Sequence, residues 1–287
     1  MSSNFLELIR LKRLSPTTFE TLALTERMGN QLPIAYGGCA LAVAVQAAYH
    51  SLPVMAPGAP KMVFYSMVGH YLGPTATDRH IKILVEDVRS TRTFATRRVV
   101  LSQTQNDGSE RSTLAVTFDF IASSPTSVLR FHIPAPSIVH HSETPIYFDA
   151  LDERVAAKTM EPWVASTYKR VFGLYSKFFD LKMPDNEPLS QNAWGVDKEI
   201  VTSQDHLPLT EKRTAHWFRS KVNISKGSPA GSDGALPISP ESASASLLAF
   251  GMDGALSFVP LSFSHLFLED AGACSTLDFA LRFHTEE

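Results

Sequence analysis

The run Gly37-Gly38-Cys39-Ala40-Leu41-Ala42-Val43-Ala44-Val45-Gln46-Ala47-Ala48-Tyr49 decides how the rest of the chain is read. Its alanines favour a helix, and two glycines open it. The run is apolar almost all round, so the predicted helix is buried on most sides instead of lying on a surface. Something must wrap it, and the wrapping follows at once. Lys61 to Pro74, His80 to Arg89, Thr93 to Gln105 and Arg111 to Ile121 are rich in Val, Ile, Thr, Phe and Tyr. Ile81, Ile83 and Val85 alternate with Lys82, Leu84 and Glu86, the period of a strand. Asn106-Asp107-Gly108 marks a hairpin turn between the last two runs. One buried helix and four antiparallel strands make an α+β unit in which a sheet wraps a helix.

The second half rhymes with the first. Residues 122 to 145 carry Pro125, Pro134, Pro136 and Pro145 and read as a linker. The span 146 to 190 is mixed, with a helix expected over Thr167 to Phe179, and Trp194 to Ser203 and Arg213 to Ser225 read as strands. From Ser225 to Ser246, 13 of 22 residues are Ser, Gly or Pro, which predicts a mobile loop. Leu247 to Phe258 is a second mostly apolar helix behind capping serines, and Cys274 to His284 reads as a strand. Helix start to strand start is about 25 residues in the first half (37 to 62) and 27 in the second (247 to 274). A doubled helix-plus-sheet unit explains the rhyme. It breaks off after one strand. The chain divides accordingly into 1–122, a linker and mixed region 123–190, and an incomplete second unit 191–287.

Composition narrows the function classes. With 287 residues, 44% hydrophobic and 19% charged, the chain can bury a sizeable core, which excludes a disordered protein. A net charge of −3 gives no reason to expect nucleic acid or an anionic membrane as partner. Two cysteines, Cys39 and Cys274, make no disulfide framework. Met1 to Arg13 has no signal-peptide core. The uncharged run Met28 to Pro60 is broken by Pro33, Gly37, Gly38, Pro53 and Pro57, leaving no expected membrane span. Thr285-Glu286-Glu287 is not a peroxisomal tripeptide, so the expected location is the cytoplasm.

Familiar catalytic signatures are absent from the sequence: no Gly-x-Ser-x-Gly, no phosphate loop, no His-Glu-x-x-His, no Cys-x-x-Cys. Side chains of the adjacent His140 and His141 diverge, which argues against a metal there. One residue stands out. Asp253 is the only ionisable side chain between Ser242 and Ser264. A carboxylate in an apolar helix is costly unless paired or hydrogen-bonded, and such groups gather at sites. The alternative is that Asp253 caps a backbone or points into a solvent gap. Ser275-Thr276-Leu277-Asp278 opens the strand beside that helix; Thr276 can hold a water, whereas Asp278 can equally be a solvated strand end. Arg97 and Arg98 fall on opposite faces of their strand, so one can bind an anionic ligand while the other is a surface charge.

At these residues the chain resembles the acyl-CoA thioesterase II type, the double-hotdog thioesterases. Tyr36-Gly37-Gly38 with its alanine-rich helix resembles the family's Phe-Gly-Gly helix opening. Tyr65-Ser66 through Tyr71-Leu72-Gly73-Pro74 resembles its first long strand and closing turn. Thr93-Phe94-Ala95-Thr96-Arg97-Arg98-Val99, followed by Gln103, resembles its Ser-Phe-x-x-Arg-Arg-Val strand. Met252-Asp253 with Leu256-Ser257-Phe258 and Pro260 resembles the catalytic helix, and Ser275-Thr276-Leu277-Asp278 through Phe283-His284 the strand after it.

The resemblance implies a double hotdog that hydrolyses acyl-CoA or a related acyl thioester, with neither metal nor cofactor. Asp253 falls on the family's aspartate and Thr276 on its hydroxyl position; together they would hold and activate a water. A helix N-terminus would polarise the carbonyl. Tyr36, Gly37, Gly38, Arg97, Arg98 and Asp278 are the implied substrate-binding residues. The family's glutamine belongs to strands beyond Glu287, and its first-half histidine is replaced by Val68. These departures leave open two other readings: a hotdog protein that binds or cyclises an acyl or polyketide-like ligand without hydrolysis, and a noncatalytic subunit. An open strand edge at Thr276 to Phe283, with apolar surface around Leu256, Phe258 and Phe263, predicts a homo-oligomer, most simply a twofold dimer.

Overall fold

In the computed structural model, which describes residues 4–29, 32–53, 61–123, 133–134, 136–272 and 274–283, the alanine-rich run is a helix that no other element leaves open to water. The chain begins with one turn of helix, α1 (Phe5–Leu8), then a hairpin of β1 (Leu11–Ser15) and β2 (Thr18–Thr21), before α2 (Gly37–His50). Every α2 residue from Gly38 to Ala48 is buried. Four long strands follow: β3 (Met62–Tyr71), β4 (Lys82–Ser90), β5 (Phe94–Thr104) and β6 (Glu110–Ala122). Ile81, Ile83 and Val85 face the core while Lys82, Leu84 and Glu86 are exposed, as a period of two requires.

The middle of the chain is largely helical. It contains α3 (Tyr147–Ala156), α4 (Pro162–Phe178), β7 (Phe179–Lys182), α5 (Pro188–Gln191) and β8 (Trp217–Ser220). Then come α6 (Pro240–Ser257), α7 (Val259–Phe263) and β9 (Asp278–Arg282). One antiparallel sheet runs β1-β2-β4-β5-β6-β3-β9, and β7 pairs with β8 in a separate two-stranded sheet. β9, from the end of the chain, therefore lies beside β3, from its beginning, with His70 opposite Asp278 and Ser66 opposite Arg282.

The same neighbourhood recurs one layer down, where α6 packs along α2. Both helices present alanines, so the backbones come close, and three polar side chains stitch the seam. Gln46 donates from Nε2 to Ser246 Oγ at 2.9 Å, Ser246 donates to the Ala42 carbonyl at 3.1 Å, and Ser242 donates to Gln46 Oε1 at 3.2 Å. All three are buried, and each has its partner, as a dry interface demands. The stretch Pro240–Phe263 is long and apolar enough to cross a membrane by length and composition, but here about half of it is buried inside the protein.

Several elements depart from expectation. Trp194 to Ser203 forms no strand. The Asn192 side chain accepts the Gly195 N–H at 3.1 Å, Trp194 and Gly195 take φ of 59° and 87°, and the Leu266 carbonyl lies so close to Gly195 that only glycine fits. The turn drops Trp194 into the core against Phe172. Of Arg213 to Ser225 only Trp217–Ser220 is strand. The Ser-Gly-Pro stretch is held: Ser228 and Ile238 exchange backbone hydrogen bonds of 2.8 Å, the Leu236 N–H reaches the Leu11 carbonyl at 2.8 Å, and α6 starts at Pro240 with Ser239 as its cap. Phe258 and Phe263 are not exposed: both belong to a second core, where Phe258 meets Phe172 of α4; Leu256 is 68% exposed, as foreseen. Pro125 of the expected linker and His284 lie outside the described residues.

Candidate active site

Asp253 sits three turns into α6, at the place where that helix meets the N-terminus of α2. Glycine makes the meeting possible. A Cβ on Gly37 would stand 2.7 Å from Asp253 Oδ2 and 2.7 Å from the Tyr71 hydroxyl; a Cβ on Gly38 would collide with the Phe250 carbonyl of α6. The carboxyl group is thereby brought against the end of β3, where Tyr71 donates its hydroxyl proton to Asp253 Oδ1 at 3.1 Å. Thr276, just before β9, and the Gly38 N–H also face the carboxylate and favour its charged form.

Burial is the larger influence. It pushes the Asp253 pKa above the usual aspartate value, against the lowering effect of Tyr71, Thr276 and the Gly38 N–H. Burial and the nearby carboxylate in turn hold the Tyr71 hydroxyl well above its ordinary pKa, so it remains a donor. A carboxylate so placed is a stronger base than a solvated one, and the positive end of α2 keeps it usable.

The group opens into a cavity of about 460 Å³ between the 28–37 segment, the 71–75 turn, α6 and residues 274–277. Met28, Ile34, Phe258 and Leu268 give it apolar walls. Asp253 is the one charged side chain among the described residues that line it. The uncharged, partly apolar portion of a ligand fits such a chamber, with a polar group at the Asp253 end.

The sequence-derived residues fall into two groups. Tyr36, Gly37, Asp253 and Thr276 converge on the cavity, and Gly38 supplies its N–H behind them. Arg97, Arg98 and Asp278 do not. Arg97 is fully buried and donates to Asp87 (2.8 Å), the Ser90 and Ser51 hydroxyls (2.9 and 3.1 Å) and the Arg89 and Thr96 carbonyls (2.9 and 3.0 Å). Those bonds tie the β4–β5 hairpin to the C-terminal end of α2. Arg98 is exposed, 3.8 Å from Glu86, and Asp278 is exposed at the start of β9. Val68 is 43% exposed on β3. The His140 and His141 side chains do not diverge as expected: their rings lie 4.0 Å apart between centroids, tilted by 37°, beside Trp217.

Tyr71 is the residue that sequence reasoning missed. The one signal for it was its place as the last residue of the first long strand, next to a Leu-Gly-Pro turn.

Residues 24–123 match the acyl-CoA thioesterase N-terminal domain family. No curated protein matches the chain. Among solved structures, an acyl-CoA thioesterase II (TesB2) from Mycobacterium marinum aligns over 88% of this chain and 69% of its own, with 16% identity and a TM-score of 0.51. A hot dog fold protein of unknown function from Alicyclobacillus acidocaldarius aligns over 91% and 72%, with 13% identity and a TM-score of 0.53. A tesB protein from Mycobacterium avium paratuberculosis, at 22% identity and a TM-score of 0.35, aligns over 46% of this chain, and the match spans about half of that relative's length (47%). Residues 24–123 are thus similar to the acyl-CoA thioesterase N-terminal domain, and the fold of the chain is the hotdog.

Proposed function

We propose that the protein hydrolyses acyl-CoA or a related acyl thioester, with Asp253 as general base and Thr276 and Tyr71 as its positioning partners. The observation that carries the reading is a buried carboxylate of raised pKa that is charge-assisted by two hydroxyls and a helix-terminal N–H at the mouth of an apolar cavity. In the reaction a water held by Asp253 and Thr276 attacks the thioester carbonyl while Asp253 takes its proton. The tetrahedral oxyanion develops near the N-terminal turn of α2, where the helix dipole favours negative charge. Collapse breaks the C–S bond, and the proton on Asp253 leaves with the thiolate, giving free acid and thiol.

The test is CoA release from an acyl-CoA series. Asp253→Ala is expected to lower kcat by at least about 10²-fold, the low end for a general base. Full activity in that variant overturns the reading. Tight acyl-CoA binding with no CoA release in the wild type would move the assignment to a non-hydrolytic hotdog.

We also infer a homodimer. Among the described residues β9 has β3 as its only partner, and its sequence Asp278-Phe279-Ala280-Leu281-Arg282 is self-complementary. Twofold antiparallel pairing about Ala280 sets Asp278 against Arg282 of the second copy and Phe279 against its Leu281. Light scattering should find a dimer at tens of micromolar and a weaker one for Arg282→Asp; a wild-type monomer there overturns it.

A further inference from the structure

The α6 turn that carries Asp253 is gripped by two tyrosines that do not touch the carboxylate. Tyr36, the residue before α2, donates its hydroxyl proton to the Phe250 carbonyl at 2.7 Å and accepts the Gly254 N–H at 2.8 Å. Residues 250 and 254 are the pair an α-helix joins directly, so a side-chain hydroxyl stands across one rung of the ladder, with Asp253 inside the bridged turn. Tyr175, from α4, donates to the Gly251 carbonyl at 3.0 Å and lies 3.1 Å from the Tyr36 hydroxyl. Both rings are buried, and they meet edge-on with Phe250 between them and α6. Gly254 has no room for a side chain, because a Cβ there would run into the Tyr175 hydroxyl.

We propose that Tyr36 and Tyr175 are positioning residues, whose hydroxyls fix the Phe250–Gly254 turn of α6 and so aim Asp253 at Tyr71, Thr276 and the cavity. The proposal rests on the hydrolytic reading for its kinetic consequence but not for its geometry. Hydrophobic packing would be served equally by phenylalanine at both positions. Two buried hydroxyls are costly to desolvate, and here both spend their hydrogen bonds on the backbone of a single helical turn. The inserted middle region thereby reaches the site: Tyr175 is its contribution.

The groups that face Asp253 are Tyr71 from β3, Tyr36 and Cys39 at the start of α2, Tyr175 from α4, and Thr276 before β9. None carries a positive charge. If the turn relaxes in Tyr36→Phe, the carboxyl group gains water and its pKa falls toward the ordinary aspartate value. The experiment compares wild type, Tyr36→Phe and Tyr175→Phe, using octanoyl-CoA hydrolysis and NMR titration of the Asp253 carboxyl carbon. Tyr36→Phe should lose about 10-fold or more in kcat, within the range that misplacement of about 1 Å produces, with KM held within about twofold. Its kcat/KM limb and its carboxyl titration should both move to lower pH. Tyr175→Phe, which keeps the bridge, should show the same changes at about a third of the size, still clear of wild type. Unchanged kcat and an unchanged carboxyl titration in Tyr36→Phe overturn the proposal. Should Tyr36→Phe not fold, a Tyr175→Phe variant that is wild-type in both readouts overturns it. If the wild type releases no CoA, the hydrolytic reading fails, and the carboxyl titration still decides the positioning role.

Discussion

Two helices of similar composition lie side by side in this molecule and serve different ends. α2 shares a core with all six strands of its own half and packs along α6, with Gly38 to Ala48 all buried. α6 has β9 as its only following strand among the described residues, and Leu248 and Leu256 stay exposed. The enclosed helix has no Asp, Glu, Lys or Arg, whereas the open one carries Asp253. The first half thus builds a wall and a helix N-terminus, and the second half brings the Asp253 carboxyl group to it. A group that must reach substrate belongs where the wrapping is thinner, and a scaffold belongs where it is complete.

Adjacent glycines at the junction give the sharpest way to break this comparison. Gly37→Ala places a methyl group against the ends of two side chains, Asp253 and Tyr71, which can swing aside. The fold should survive while kcat drops by about 10²-fold, because the carboxylate is pushed off its aim. Gly38→Ala meets the Phe250 backbone, which cannot swing aside; it should lower stability by about 1–3 kcal/mol through strain at the α2–α6 seam. Kinetics together with urea melts would check both. If Gly37→Ala unfolds the protein, or leaves its rate unchanged, the division of labour at this junction is wrong.

Arg97 tests the scaffold half alone. Its guanidinium joins β4, β5 and the end of α2 through buried bonds, so Arg97→Ala should cost about 2 kcal/mol or more. Asp87, the partner left behind, is half-exposed and can be solvated, which keeps the loss below that of a fully buried pair. The folded variant should hydrolyse at the wild-type rate, since Arg97 does not line the cavity. A selective rise in KM for acyl-CoA would show instead that this network shapes the ligand site.

Much of this was legible in the residues. The period of two over Ile81 to Glu86 placed β4 and its inward face, and the alanine run placed α2. Asp253 was visible because nothing else ionisable lies near it in sequence. What escaped notice depends on tertiary approach. β1 (LKRLS) and β2 (TFET) are short and a third charged, and only the pairing of β1 with β2 and of β2 with β4 makes them strands. Tyr71 reads as one more β-branched or aromatic strand residue until α6, 182 positions later, is laid against it. Arg97 looked like a ligand-binding cation because alternation tells which face a side chain takes but not whether the protein itself supplies its acceptors. The expected strand at Trp194 failed for the same reason: the Asn192 cap and the approach of Leu266 turn it into a tight bend.

The smallest effect tests the open helix most directly. Asp253 has its pKa raised by burial, so the folded protein binds its proton more readily than the unfolded chain, whose aspartate titrates near 3.8. The stability this group gives is therefore present below pH 3.8 and lost as pH rises through the folded pKa. At neutral pH the ionised carboxylate is a net burden, a cost that the proposed role as general base accounts for. Asp253→Asn keeps the shape and removes the charge, and its amide oxygen can still accept from Tyr71. Its Tm should exceed the wild type's at pH 7, and the two should converge below about pH 3.8, where both side chains are neutral. Calorimetry of the two proteins across that range checks it. An Asn variant less stable than wild type at pH 7 would mean that Tyr71, Thr276 and the Gly38 N–H outweigh desolvation, and that the carboxylate is held as a fixed anion with little basicity left for water.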